Sequence, residues 1–210
     1  MNPLFQHIEF LTGAHTLSQA PPDAGLEVAF AGRSNAGKSR AINVITGINS
    51  LARVSKTPGR TQQINFFALD ATRRLVDLPG YGYAKVPEKM KRHWLQTLEQ
   101  YLQMRQSLQG LILVMDIRHP LMPADLQMLD WCHGAQMPVH ILLTKADKLS
   151  KGAASASLAK ARKMLSERYG KMDAAIPTVA QTLQVFSALA RQGIDGAEQR
   201  LGEWLDIKPK

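Results

Sequence analysis

Short apolar runs alternate along the chain with longer segments whose apolar residues recur every three or four positions. A short, continuously apolar run is typical of a strand buried on both faces, so the runs predict strands at residues 26–32, 63–70, 73–80, 110–116, 138–147 and 182–188. The strand within 138–147 ends in a polar loop. The periodic segments predict one helix that follows residue 37 and ends at Gly47, and others at 87–106, 123–133, 152–168 and 193–205.

This order of elements predicts an α/β fold. Strands separated by helices form a parallel sheet that is covered on both faces, and the closely joined runs at 63–70 and 73–80 predict a hairpin with one antiparallel edge strand. We therefore expect a mostly parallel six-stranded sheet with helices on both faces. It would lie in one domain at 26–210, after an N-terminal extension at 1–25. Ligands of such sheets bind at the carboxyl ends of the strands.

The composition indicates which class of protein this is. Of 210 residues, 45% are apolar and 20% are charged, which is ordinary for a globular domain. The single cysteine, Cys132, cannot form an intramolecular disulfide and is expected to be a small buried apolar residue in a reducing compartment. The N-terminus has no basic start followed by an apolar block, and no apolar run reaches about 20 residues. We expect a cytoplasmic protein without a membrane partner.

The formal net charge of +9 is concentrated in one segment. Between Arg33 and Arg92 there are twelve lysines and arginines but only three acidic residues, whereas the rest of the chain is balanced. Such a segment can form a solvated basic face, or it can attract the phosphates of a nucleotide, a nucleic acid or both. The sequence motifs within this basic segment show how much of its charge can be assigned to phosphate binding.

One stretch of this segment, GRSNAGKS at residues 32–39, fits the phosphate-loop pattern G-x-x-x-x-G-K-[ST]. It follows a predicted strand and precedes a predicted helix, the context in which backbone N–H groups and a helix N-terminus surround phosphate. In this pattern Lys38 reaches the β- and γ-phosphates and Ser39 ligates Mg²⁺. The sequence therefore predicts a nucleotide-phosphate site.

Two further motifs favour guanine over adenine. TKAD at 144–147 ends a predicted strand, and the Asp147 carboxylate can accept bonds from the ring N–H and the exocyclic amine of guanine, a donor pair that adenine lacks. The aliphatic stem of Lys145 can cover the base. FSAL at 186–189 ends the next strand and can present a backbone N–H to the guanine carbonyl oxygen. Each motif alone is weak, but their order and their positions at strand ends together are specific.

These motifs, with KTPGRTQ at 56–62, DLPGYGYA at 77–84 and DIRHP at 116–120, resemble those of the TRAFAC-class translation-factor-like GTPases, and most closely the EngB (YihA/YsxC) family. The likeness covers nearly the whole chain. It implies a Ras-like P-loop GTPase fold, binding of GTP or GDP with Mg²⁺, and a role in assembly of the large ribosomal subunit on which normal cell division and septation depend. Arg40 departs from the family pattern, which has a small residue there, but removes no ligand.

The resemblance also implies roles for individual residues. Thr61 would join Ser39 on Mg²⁺ when a γ-phosphate is present, and Asp77 would hold the metal through water. The Gly80 N–H would contact the γ-phosphate, and loss of that phosphate would release both loops. Residues 48–61 would then be a switch rather than a plain connection. The implied nucleotide site comprises Gly32, Arg33, Ser34, Asn35, Ala36, Gly37, Lys38, Ser39, Gly59, Arg60, Thr61, Gln62, Gln63, Asp77, Leu78, Pro79, Gly80, Thr144, Lys145, Ala146, Asp147, Phe186, Ser187 and Ala188.

Catalysis is expected to rest on positioning and neutralised charge, for which the candidates are Lys38, Thr61, Gly80 and Asn35. Tyr81 stands where many nucleotide hydrolases keep a water-orienting side chain, but its hydroxyl is neutral and lies at the end of a rigid ring. We therefore expect slow intrinsic turnover and a Tyr81 that faces outward, toward a partner. Asn35 either helps to bind K⁺ beside the phosphates, as in related GTPases, or only supports the tight loop.

The expected partner is the large ribosomal subunit or its precursor, bound as a monomer through ribosomal RNA and a basic switch face. That face would contain Arg53, Lys56, Arg60, Lys85, Lys89, Lys91 and Arg92, with Tyr81 and Tyr83 either stacking on bases or packing beneath the loop. Two alternatives remain at this stage. One is an RNA-binding assembly protein with a non-catalytic nucleotide site, and the other is a P-loop small-molecule kinase, which would have no need of TKAD and FSA.

Overall fold

Strands and helices alternate in the computed structural model, which describes residues 5, 7–52, 63–82, 88–170 and 181–207. The strands are β1 Glu9–Ala14, β2 Leu26–Gly32, β3 Ile64–Ala68, β4 Arg73–Asp77, β5 Leu108–Asp116, β6 Val139–Thr144 and β7 Gln181–Val185. The helices are α1 Lys38–Thr46, α2 Glu88–Met104, α3 Pro123–Gly134, α4 Lys151–Tyr169 and α5 Ile194–Trp204. Short 3₁₀ turns at Leu17–Gln19 and Ala146–Lys148 complete the described elements.

The strands form one sheet in the order β1-β3-β4-β2-β5-β6-β7. Strand β3 is antiparallel to both of its neighbours, and the remaining pairs are parallel. The predicted α/β fold with a mostly parallel sheet and an antiparallel edge is confirmed. The predicted strand number of six is wrong, because within the described residues the sheet has seven strands.

The additional strand is β1, which lies in the predicted N-terminal extension. Within the described part of the chain its outer side has no neighbouring strand, and a register shift between Phe10 and Thr12 interrupts the pairing with β3. Phe10 is therefore 60% exposed, and Ala14 is the buried residue of the strand. An edge strand with a bulge does not alternate cleanly between apolar and polar residues, which is why the sequence pattern did not reveal it.

Two apolar cores cover the faces of the sheet. One core contains residues of α2, α3 and α4, and the other contains residues of α1 and α5. The central strands are buried on both sides, with every residue of β6 buried and eight of nine in β5. Cys132 of α3 belongs to the first core, and burial raises the pKa of its thiol to about 12, as expected of a structural cysteine. Among the described residues, none of the helices combines the length and apolar character required to cross a membrane.

Opposite the carboxyl ends of the parallel strands, a buried acid ties the chain together. Glu27 at the start of β2 is fully buried and accepts hydrogen bonds from Arg74 (2.7 Å), Arg105 (2.7 and 3.0 Å) and Tyr101 (3.1 Å). Arg74 and Arg105 also donate to the Pro22 carbonyl oxygen, at 3.2 and 3.3 Å. This cluster fastens the segment before β2 to the sheet and leaves the other end of the strands for ligand binding.

Candidate nucleotide-binding site

The phosphate loop joins β2 to α1 and has the backbone shape that its glycines permit. Gly37 precedes α1 with φ of 102° and no side chain caps the helix, so the first N–H groups of α1 remain directed at the loop. At Gly32, a β-carbon would lie 2.6 Å from the Val114 carbonyl oxygen. Both positions therefore require glycine, one for its dihedral angle and one for the close approach of β5.

The Lys38 ammonium and the Asp77 carboxylate are in direct contact at the centre of the site. Lys38 begins α1 and Asp77 ends β4, and each side chain is only about one-tenth exposed. The turn after Asp77 lies against the phosphate loop, since a β-carbon on Gly80 would be 3.0 Å from Ser34 Oγ. The lysine predicted to bind phosphate and the carboxylate predicted to hold a metal thus meet where α1 begins and β4 ends, with Ser39 next in the helix.

The TKAD motif, predicted to recognise the base, is hydrogen-bonded to the phosphate loop. The Thr144 hydroxyl lies against the Ala36 carbonyl oxygen and 3.0 Å from that of Met115. The Lys145 ammonium donates to the Asn35 carbonyl oxygen at 2.7 Å. Asn35 and Lys145 both have positive φ angles, 66° and 61°, and asparagine tolerates this region better than most residues. The end of β6 therefore holds the loop after β2 in shape.

Asp147 is oriented by a residue from the next strand end. The Ser187 hydroxyl donates to Asp147 Oδ1 at 2.6 Å, and this hydrogen bond lowers the pKa of the carboxyl group. The Ala146 N–H donates to the Phe186 carbonyl oxygen at 3.2 Å, and Phe186 is fully buried. The two motifs that were predicted to contact guanine are thereby brought together, with Ala188 following on the same loop.

Sequence reasoning did not include Asp116 and Arg118 of DIRHP in the site. Asp116 ends β5 and accepts hydrogen bonds from Arg118 (2.7 Å), while Lys145 Nζ lies 3.0 Å from its carboxylate. Partial burial acts to raise the pKa of Asp116, but the bonds from Arg118 and Lys145 outweigh it and hold the pKa well below its usual value. The position of DIRHP at the end of a buried strand is the signal that could have identified them.

The expectation that Tyr81 faces outward is wrong. Tyr81 is 2% exposed, and its hydroxyl donates to Asp125 Oδ1 of α3 at 3.0 Å. Burial, then the negative charge of Asp125, raises the pKa of Tyr81 well above its ordinary value. Because the ring is buried and the hydroxyl is bonded to Asp125, Tyr81 is not available to orient a water for hydrolysis or to stack on a base. Tyr83, its predicted companion, lies outside the described residues.

Several other predicted residues lie outside the described part of the chain. They are Arg53, Lys56, Gly59, Arg60, Thr61, Gln62 and Lys85, together with the side chains of Lys89 and Lys91. Gln63 is described, and its amide nitrogen lies 2.7 Å from the His15 ring next to β1. Arg33 follows the end of β2, and Leu78 and Pro79 follow the end of β4. Arg92 is exposed on α2.

The basic segment is partly neutralised within the protein. Among the side chains of this segment that the structure describes, ion pairs join Arg33 to Asp125, Lys38 to Asp77, Arg73 to Asp70 and Arg74 to Glu27. Their charge stabilises the fold and the site more than it attracts a distant polyanion. Any basic surface for a nucleic acid must therefore draw on the other cations of the segment.

The family model and the curated relatives that match this chain agree with each other. A family model described as a 50S ribosome-binding GTPase matches residues 27–145, more than half of the chain. The chain is 56% identical over 207 residues to a probable GTP-binding protein EngB of Nitrosococcus oceani, with 99% of each covered. It is 54% identical to a probable GTP-binding protein EngB of Nitrosomonas europaea, covering 98% of this chain and 88% of the relative.

Solved structures show the same fold. A probable GTP-binding protein engB superposes with a TM-score of 0.66 at 20% identity, covering 87% of this chain and 100% of that one. Era in complex with MgGDPNP and a segment of 16S ribosomal RNA gives 0.63 at 18% identity, covering 89% of this chain and 58% of that one. At these identities the likeness concerns the fold, and the family follows from the sequence matches.

Proposed function

This chain belongs to the EngB family of GTP-binding proteins, and on that premise we propose that it is a GTP-dependent switch in assembly of the large ribosomal subunit. In the GTP-bound form it would bind the subunit or its precursor, and GTP hydrolysis would release it. Normal cell division would depend on this activity through the supply of ribosomes. The observation that supports this proposal most directly is the hydrogen bond from Lys145 of the TKAD motif to Asn35, which connects the predicted guanine site to the phosphate loop.

GTP and GDP are the nucleotides that the described donors and acceptors fit. The N-terminus of α1 and Lys38 supply the positive charge that a triphosphate needs, and Asp147 supplies a carboxylate already oriented by Ser187. Adenine offers no donor pair to that carboxylate. The family membership supports GTP hydrolysis in general, and the finer proposals concern its metal, its rate and its partner.

Mg²⁺ is the proposed cofactor, and the residues present fit it. The Asp77 carboxylate and the Ser39 hydroxyl are hard oxygen ligands at neighbouring strand and helix ends, and Thr61 is the third candidate, outside the described residues. Within the described part of the chain, no group of three or more His, Cys, Asp or Glu could hold a metal by itself. When bound, Mg²⁺ supplies charge neutralisation to the phosphates. Lys38 adds a second positive charge beside it.

Slow intrinsic hydrolysis is supported by the position of Tyr81. Its hydroxyl is engaged by Asp125 and its ring is buried, so the residue after Gly80 offers no group to orient the attacking water. We therefore propose that turnover depends on a cation, on the ribosomal particle or on both. Lys38 and the loop backbone alone would position the phosphates without activating water.

K⁺ is one candidate for that cation, through the Asn35 amide, although its φ of 66° also explains an asparagine in this loop. The test compares wild type with Asn35→Gly, which keeps the backbone conformation and removes the amide. Under the K⁺ proposal, wild type hydrolyses GTP faster in K⁺ than in Na⁺ at equal ionic strength, and the glycine variant loses that difference. Equal wild-type rates in both salts, with and without ribosomal particles, would refute it.

The ribosomal partner is supported by the description of the family model and by the concentration of basic residues between Arg33 and Arg92. Era, which shares the fold, is known in complex with a ribosomal RNA segment. Binding through Lys and Arg to RNA should weaken steeply as salt is raised. A monomer in the cytoplasm stays a prediction.

The nucleotide part of the proposal is tested by titrating the purified protein with GTP, GDP, ATP and GMP in Mg²⁺. GTP and GDP should bind at least about a hundredfold more tightly than ATP, because the adenine ring leaves the Asp147 carboxylate without donors. GMP should bind weakly, because it lacks the β-phosphate near Lys38. Equal affinity for ATP and GTP would overturn the guanine assignment.

A further inference from the structure

We propose that Asp125 of α3 is a positioning residue for the γ-phosphate: it clamps Tyr81 and Arg33 so that the Gly80 N–H stays aimed at the phosphate loop. The inference rests on the proposed GTP-binding function and deepens it. It concerns a residue 45 positions after Gly80 in the chain, in a segment to which no motif assigns a nucleotide role. Of the predicted site residues, Asp125 contacts Arg33 through its guanidinium group.

The Asp125 carboxylate joins three parts of the protein. Its Oδ1 accepts from the Tyr81 hydroxyl at 3.0 Å, its Oδ2 accepts from Arg33 Nε at 3.1 Å, and Oδ2 also accepts from the Met122 N–H at 3.0 Å. Arg33 additionally donates to the His119 carbonyl oxygen at 2.8 Å. One buried carboxylate therefore connects the phosphate loop, the residue after Gly80 and the first turn of α3.

The backbone around Gly80 is closed onto the phosphate loop by the same residues. The Tyr81 N–H donates to the Gly32 carbonyl oxygen at 3.3 Å, and the Ser34 N–H donates to the Tyr81 carbonyl oxygen at 3.0 Å. These bonds form a parallel bridge between Arg33 and Tyr81 that continues the pairing of β2 with β4. Gly80 has little freedom to turn its N–H away while Tyr81 is held on both its backbone and its hydroxyl.

The burial of the Asp125 carboxylate favours a single arrangement of the residues that are bonded to it. Asp125 is fully buried, and a buried carboxylate is tolerated when hydrogen bonds and a cation compensate it. If Tyr81 left its place, Asp125 would lose one donor and the core would lose a buried ring. The clamp therefore favours one position of residues 78–81.

The test uses two buried tyrosines with the same chemistry. Tyr81→Phe removes the hydroxyl that binds Asp125, and Tyr101→Phe is the matched control, because Tyr101 is buried and donates to the buried Glu27 at the other end of the sheet. Affinities for GDP and for a non-hydrolysable GTP analogue are measured with the melting temperature of each variant. In Tyr81→Phe the preference for the analogue over GDP should fall about three- to tenfold, and in Tyr101→Phe it should change by less than about twofold.

An unchanged preference in Tyr81→Phe, alongside a melting temperature lowered as in Tyr101→Phe, would show that the clamp is only structural and would overturn the inference. If Tyr81→Phe does not fold, Asp125→Asn replaces it, since it keeps the shape and weakens the acceptor. The same fall in preference is expected there, and an unaltered one overturns the proposal. A wild-type protein that binds no guanine nucleotide would instead refute the proposed function.

Discussion

The Lys145 ammonium donates to the Asn35 carbonyl oxygen over 2.7 Å and lies 3.0 Å from the Asp116 carboxylate. Lys145 of the TKAD motif and Asn35 of the phosphate loop are 110 residues apart in the chain, and this bond joins the two motifs together with the contact of the Thr144 hydroxyl with the Ala36 carbonyl oxygen. The Lys145 stem is available to cover a base while its charge stabilises the loop that wraps the phosphates. The shape of the two halves of the site should therefore depend on the same residue.

Replacing Lys145 should weaken GTP and GDP equally. Lys145→Met keeps most of the apolar stem and removes the ammonium, so the loop loses a charged hydrogen bond of about 1.5–3 kcal/mol, or roughly ten- to a hundredfold in affinity. Lys145→Ala removes the stem as well and should bind more weakly still. Fluorescence titration of both variants checks this, and a methionine variant with wild-type affinity would show that the bond to Asn35 is irrelevant to binding.

Base specificity should change with Asp147. Asp147→Asn presents an amide that can donate to the extra carbonyl oxygen of xanthine, so xanthine nucleotides should gain affinity. Guanine nucleotides should lose about a hundredfold or more, since two bonds to a charged acceptor are lost. Ser187→Ala is the graded control: it removes the orienting hydroxyl, leaves the carboxylate, and should lower GDP affinity roughly fivefold. If the Asp147→Asn variant and the wild-type protein had the same base preference, the assignment of Asp147 to guanine recognition would be contradicted.

The buried cluster around Glu27 should dominate stability without affecting nucleotide binding. Glu27→Gln leaves Arg74 and Arg105 without their buried counter-charge, and breaking such a pair costs about 3–5 kcal/mol of unfolding free energy. Tyr101→Phe removes one bond to the same acid and should cost less. Urea unfolding measures both. GDP affinity of the folded variants should stay within about twofold of wild type, and a large loss would mean that this end of the sheet communicates with the site.

The Asp116 carboxylate should contribute a pH-dependent part of the stability. Because its pKa is lower in the folded than in the unfolded protein, the unfolded chain binds more protons in the window between the two values. Its contribution is complete above about pH 5 and is lost progressively as the pH falls through the unfolded pKa toward the lower, folded one. Asp116→Asn should therefore show a shallower loss of unfolding free energy between about pH 5 and pH 3. Parallel curves for the two proteins would refute this.

Local patterns in the sequence predicted most of the fold and the skeleton of the site. The strand before GRSNAGKS, the helix from Lys38 to Thr46 and the strand ending at Thr144 follow from runs and glycines that are adjacent in the chain. Strand β1 was not predicted, because the conformation of a bulged edge strand depends on its pairing with the neighbouring strand. Tyr81 was misinterpreted for a similar reason, since its environment is set by Asp125, 44 residues away.

The central claim, a nucleotide-dependent association with the large ribosomal subunit, is tested most directly by sedimentation of the protein with purified large-subunit particles and their precursors. The protein is loaded with a non-hydrolysable GTP analogue or with GDP at moderate salt, and Lys38→Ala serves as the variant that cannot bind phosphate properly. We predict several-fold more co-sedimentation with the analogue than with GDP, reduced by higher salt and absent in the variant. Equal co-sedimentation in both nucleotides, or none in either, would contradict the claim.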